Sequence, residues 1–228
     1  LGANRKHWIE AISRVTEDFR SSYFQITDVF TTKKCKEHIM FKYIVIILFF
    51  ISGISFLVSV AAEVDLKKSK ISWKGSKVGG VHYGDIYFQR AKIDIDENGN
   101  LAGGSFLVDM NSMTNDDLSG MWRDKLLNHL KSEDFFSTKN YPTSYLEIKQ
   151  VSKIDNRSYL VNGFLKIRNK SNLISFKVLK SGLFYTGKMV FDRSKYNIRF
   201  GSKSFFKNLG DKFIHDNVEL NFKIKLKD

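Results

Sequence analysis

The stretch Val218-Glu219-Leu220-Asn221-Phe222-Lys223-Ile224-Lys225-Leu226-Lys227 decides the fold class. Apolar side chains take every second position, and polar or charged ones fill the gaps. Successive side chains of a strand point to opposite faces. A period of two therefore predicts a strand with one face in the core and the other in water. On this reading the lysines are the solvated face.

The same pattern extends upstream. Ala91, Ile93 and Ile95 alternate with Lys92, Asp94 and Asp96, and Glu97-Asn98-Gly99-Asn100 follows. Asn-Gly tolerates the positive φ of a tight hairpin turn, so Leu101 to Met110 is expected to pair back, with Phe106, Val108 and Met110 on one face. Further strands are expected over 64–74, 83–90 continuing into 91–96, 144–152, 158–168, 173–180 and 183–192, about eight in all. Asp155-Asn156 and Lys180-Ser181-Gly182 supply turns. One helix, 115–130, is expected to interrupt them. Thr114 to Asp117 offers N-cap residues, and Leu118, Met121, Trp122, Leu126 and Leu130 recur at helical spacing. A second short turn is expected near Phe205 to Leu209. An all-β, eight-stranded antiparallel barrel with a short helix at one end satisfies this pattern. Closure removes exposed edges, and a barrel of this size can hold one small ligand. A two-sheet sandwich has the same strand count and stays open as an alternative.

The chain has 228 residues, a net charge of +13 and a single cysteine, Cys35. The run from Met40 to Ala62 reads as a targeting segment: Lys42 at its start, an apolar stretch from Ile44 to Val60, then Ser59, Ala61 and Ala62 as a small-residue cleavage region. The alternative is a retained anchor helix, because the apolar stretch approaches the roughly 18 to 20 residues that span a bilayer. The expected division is thus 1–39 as a non-native upstream extension, 40–62 as signal peptide or anchor, and 63–228 as the barrel domain. Residues 1–62 hold eight Lys/Arg and five Asp/Glu, which leaves 37 − 8 = 29 basic and 24 − 5 = 19 acidic groups, a net of +10, for the rest. Such a balance suits anionic surfaces or ligands. A nucleic-acid-binding barrel fits the charge but not a secretion signal.

Phenylalanine occurs 20 times. Phe88, Phe106, Phe164, Phe176, Phe191 and Phe222, with Val108, are expected to look inward, either lining a ligand tunnel or filling a solid core. His82 and His129 lack the spacing of a metal site, so no metal or cofactor is expected. No nucleophile elbow or phosphate-cradling loop is present, and no catalytic residue or enzymatic activity is expected; a lipid hydrolase remains a distant alternative.

Several separated elements resemble the YceI-like family: Ile71-Ser72-Trp73, His82-Tyr83-Gly84, Gly104-Ser105-Phe106, Asn162-Gly163-Phe164-Leu165-Lys166-Ile167, Phe191-Asp192-Arg193 and Asp216-Asn217-Val218. The strongest runs from His129-Leu130-Lys131-Ser132-Glu133-Asp134-Phe135-Phe136 to Tyr141-Pro142-Thr143. Asn169, Leu173 and His215 depart from the family's usual turn residues. The resemblance implies a lipocalin-like periplasmic barrel that binds, stores or carries a long isoprenoid amphiphile such as a polyprenyl phosphate or quinone. It implies a tail among the inward aromatics, gating by the helix and the Phe135-Phe136 loop, and a polar mouth of His82, His129 and Arg193. Asp192-Arg193 reads either as part of that mouth, pairing with a phosphate, or as a structural ion pair. The implied partners are the lipid, a membrane surface and a second copy in a homodimer. A filled-core interaction module is the competing reading.

Overall fold

A computed structural model of the chain describes residues 60–228. The expected extension 1–39, and all of the expected targeting segment except Val60–Ala62, lie outside the described residues. Among the described residues there are nine strands: β1 (Val60–Glu63), β2 (Lys70–Lys77), β3 (Gly80–Ile95), β4 (Leu101–Asp109), β5 (Thr143–Lys153), β6 (Ser158–Ile167), β7 (Lys170–Ser181), β8 (Phe184–Asp192) and β9 (Asn217–Lys225). All neighbours are antiparallel. β2 to β9 form a closed ring of eight, because β3 pairs with both β2 and β4 and β2 pairs with β9. The barrel, rather than the sandwich, is the architecture. The one α-helix among the described residues, α1 (Gly120–Lys131), lies between β4 and β5.

Two expected elements differ in detail. The strand expected over 64–74 is broken. Asp65 accepts from the N–H groups of Lys67 and Lys68 and caps a 3-10 turn over Leu66–Lys68. β1 precedes this break and pairs with Lys92–Ile95, on the edge of β3 away from β4. The expected helix start at 115 moves to 120, since the side chains that looked like caps are spent elsewhere. Asn115 accepts from Leu118 N–H, and Asp117 accepts from Tyr83 N–H. Of the expected apolar stripe, Met121 and Trp122 face solvent, each 64% exposed. Leu127 and Leu130 pack on the core.

β3 explains how its two halves join. Ile86 and Phe88 face in, and so does Ile93, five residues later. The phase changes at a bulge between Phe88 and Arg90. A bulge adds one residue, bends the strand and tightens its twist, which lets one 16-residue strand serve two neighbours around the ring. His82-Tyr83-Gly84 has a structural reason as well. The 114–117 segment lies across this part of β3, with Thr114 N–H donating to Asp85 O and Asp116 N–H donating to Tyr83 O. A Cβ on Gly84 would stand 2.2 Å from Thr114 O. Gly84→Ala must therefore push this crossing apart, and an urea titration should show a loss of about 2 to 3 kcal/mol.

The core runs through the ring and includes Tyr159, Val161, Tyr185 and Ile198. Burial pushes the Tyr185 hydroxyl up to about 12, helped by nearby Tyr159. Burial also raises Tyr196 to about 12, against a hydrogen bond from Asn172. An unfolded tyrosine titrates near 10. Raised folded values mean that their stabilisation is intact below about pH 10 and is lost as pH climbs through 12, by up to about 2 to 3 kcal/mol per tyrosine. Denaturation midpoints should fall over that window in the parent chain. The fall should shrink in Tyr185→Phe; an unchanged slope would place the alkaline lability elsewhere.

Candidate ligand tunnel

β2 to β9 enclose a cavity of about 600 Å³. At its far end it meets Ile93, Leu101, Val178, Tyr185 and Ile224. Beyond these, buried Val64, Tyr159 and Leu226 close the barrel. Its middle is walled by Phe88, Phe106, Val108, Leu146, Leu165, Phe176, Met189, Phe191 and Phe222. The other end opens among Lys77, His82, Leu126, His129, Phe135, Phe136, Phe200, Lys212 and His215. The wall is apolar throughout its length, and the polar groups gather at the mouth.

Period two puts these side chains in place. On β6, Tyr159, Val161, Leu165 and Ile167 are buried while Phe164 is 42% exposed. Phe164 therefore lies on the outer face beside its cross-strand partner Leu173, and the expectation that it lines the tunnel is corrected. The inward residue is Leu165. The pattern Leu165-Lys166-Ile167 carries this phase in the sequence. Phe88, Phe106, Val108, Phe135, Phe136, Phe176, Phe191 and Phe222 all stand on the cavity wall. Periodicity would also have found Trp73, Leu146 and Met189; Lys77 and Lys212 come to the mouth only through the tertiary fold.

The mouth is an aromatic cluster. The His129 ring meets Phe200 at 4.4 Å and Phe135 at 5.1 Å, both edge-on, and Phe135 lies 6.3 Å from Phe136. His82 lines the opening, with its Nδ1 2.7 Å from Asp117. Burial opposes the charge on Asp117, but the Tyr83 N–H, His82 and Asn115 outweigh it and hold the carboxyl below its usual range. This pair ties the segment before α1 to β3.

Arg193 stands on the cavity lining near the mouth, as expected, but its donors are turned to backbone carbonyls rather than left for a phosphate. It is 1% exposed. Its Nε donates to His215 O, Nη1 donates to Ile198 O and Phe200 O, and Nη2 donates to Ile214 O. Nη2 also lies 3.2 Å from Asp216 Oδ1. A guanidinium has five N–H donors, and four hydrogen bonds to carbonyl oxygens engage this one, with the Asp216 carboxylate beside it as counter-charge. The ion pair is with Asp216 rather than Asp192, whose carboxylate caps the 3-10 turn after β8 by accepting from Ser194 N–H. Burial lowers the Arg193 pKa, and Asp216 and Asp192 act against that. Among the described residues, no group of three or more His, Cys, Asp or Glu could hold a metal ion.

A closed eight-stranded barrel around an open apolar tunnel defines a lipocalin-like fold. The chain belongs to the YceI-like domain family, whose model matches residues 63–226. Among solved structures it is similar to BcnA of Burkholderia cenocepacia, at 23% identity and TM-score 0.57, over 71% of this chain and 98% of that one. It is also similar to a polyisoprenoid-binding domain from Saccharophagus degradans implicated in plant cell wall breakdown, at 14% identity and TM-score 0.50, over 75% and 99%. No curated protein matches the chain.

Proposed function

We propose that the barrel binds a long-chain isoprenoid amphiphile, of the polyprenyl phosphate or quinone type, and carries it in the periplasm. The tail fills the tunnel, and the head group sits at the mouth beside Lys77, His82, His129 and Lys212. The observation that carries this reading is the apolar cavity of about 600 Å³, within the roughly 300–1,000 Å³ of ordinary ligand sites. An unfilled apolar space of that size forfeits the dispersion contacts that a packed core would make. Water is a poor occupant, since each buried molecule needs two to four polar partners. A hydrocarbon chain relieves the deficit, at about 0.8 kcal/mol for each CH₂ buried. The filled-core reading has no account of the void. The family and the polyisoprenoid-binding neighbour support the same ligand class. The cysteine-free domain and the run from Ile44 to Val60 support export.

The test is native mass spectrometry of the chain purified under mild conditions from a bacterial host, with lipid extraction alongside. A stoichiometric isoprenoid is expected. An empty chain that also fails to take up added polyprenyl phosphate or quinone would overturn the reading.

A further inference from the structure

The mouth is surrounded by exposed aromatic and basic side chains, most of which neither the core nor the tunnel uses. Two elements supply them. α1 turns Leu126, His129 and Leu130 to the tunnel and leaves Met121 and Trp122 each 64% exposed. The loop between β8 and β9 leaves Phe200, Phe205 and Phe206 at 44%, 39% and 48% exposure. The two elements meet over the opening through His129 and Phe200.

Cations accompany these rings. Lys125 Nζ stands 4.9 Å from the Trp122 ring, the Arg199 guanidinium 4.9 Å from Phe205, and Lys203 Nζ 3.4 Å from Phe213. From Arg199 to Lys212 the loop holds four basic residues (Arg199, Lys203, Lys207, Lys212) against one acidic, Asp211, so 4 − 1 = +3. The loop is also stiff at its base. Arg193 holds the carbonyls of Ile198, Phe200, Ile214 and His215, and Ser202 and Ser204 both donate to Asp216. Among the described residues the far end of the barrel is different. Its turns carry Asp65, Asp96, Glu97 and Asp155 among their basic residues, and its exposed large apolar side chains, Val60, Ile154, Leu179 and Leu183, are all aliphatic.

We infer that this rim docks on an anionic lipid bilayer, with Met121, Trp122, Phe205 and Phe206 entering the headgroup boundary and Lys125, Arg199, Lys203 and Lys207 meeting lipid phosphates. Amphipathic aromatic rings favour that boundary. Basic stems reach back from it to the charged headgroups. The docked face contains the tunnel opening, so a hydrocarbon chain passes between bilayer and barrel without crossing water. The inference rests on the carrier reading for its purpose, and its test does not need a bound ligand.

The full chain is mixed with phosphatidylcholine vesicles carrying brominated acyl chains, with or without phosphatidylglycerol, and vesicle-bound chain is measured by flotation. The chain has three tryptophans, Trp8, Trp73 and Trp122, so the Trp122 emission is taken as the difference between parent and Trp122→Phe. That difference should be quenched on vesicles with phosphatidylglycerol and not on phosphatidylcholine alone. Lys203→Glu with Lys207→Glu should raise the lipid concentration for half-quenching about thirtyfold or more. A chain that floats with its Trp122 emission unquenched, or quenched equally on neutral vesicles, or that does not float at all, overturns the inference. A chain that docks but never yields an isoprenoid would sink the carrier reading alone, and a loaded chain that fails to dock would sink only this one.

Discussion

Arg193→Ala should lower unfolding stability by about 3–5 kcal/mol, the range seen when one partner of a buried charged cluster is removed. Four carbonyl oxygens lose their donor at once, and Asp216 loses its opposite charge. Each acceptor left buried without a partner costs about 1–3 kcal/mol, less whatever water recovers once the loop loosens. Arg193→Lys should recover little, because an ammonium has three donors on a flexible stem and cannot span a fixed fork of carbonyls. The damage should be local as well as global. Limited proteolysis of the alanine variant should cut first between Arg199 and Phe213, whose two ends Arg193 holds together. A variant of parental stability, with that loop still resistant, would show that Arg193 is free enough to be a headgroup ligand after all.

The second large effect separates two adjacent residues. Leu165→Lys should abolish isoprenoid retention, because Leu165 faces the tunnel, and an unpaired ammonium there must stay hydrated or give up its charge. Phe164→Lys, one position away on the outer face, should leave retention within about twofold, since surface substitutions away from special features shift energies by only about 0.5 kcal/mol. Phe106→Glu should behave like Leu165→Lys. Val108→Trp adds the steric version, since it fills the middle of the tunnel without adding charge. Lipid per barrel by mass spectrometry, beside a melting curve for each variant, gives the comparison. Equal retention in Leu165→Lys and Phe164→Lys at comparable stability would mean that the tunnel is not where the lipid lies.

Much of the fold was legible because a half-buried antiparallel strand writes its geometry into its residues. Asn98-Gly99 reads as a hairpin turn, and Gly99 has a φ of +74°. The alternation from Val218 onward reads as the strand that pairs with both β2 and β8. What was not legible depended on distant partners. Nothing near Asp117 in sequence says that its carboxylate is committed to His82 and Tyr83 on β3, so α1 seemed to start too early. Nothing beside Arg193 says that four carbonyls from residues 198–215 converge on it. The inward face of β6 is legible in the alternation of Tyr159, Val161, Leu165 and Ile167, and that phase, not side-chain size, puts Phe164 on the outer face. The bulge in β3 could be inferred only by noticing that Phe88 and Ile93 cannot share a face at strict alternation.

Ring closure also has a bearing on time. With every strand from β2 to β9 paired on both sides, no edge can peel back to let a chain out sideways. The far end is shut by buried Val64, Tyr159 and Leu226. A ligand can leave only past His129, Phe135, Phe136 and Phe200, so its residence is governed by how often a few packed rings swing aside, while its affinity is governed by the length of wall it covers. On the proposed carrier reading, the barrel thus holds its cargo tightly in free solution and releases it quickly wherever those rings are disturbed.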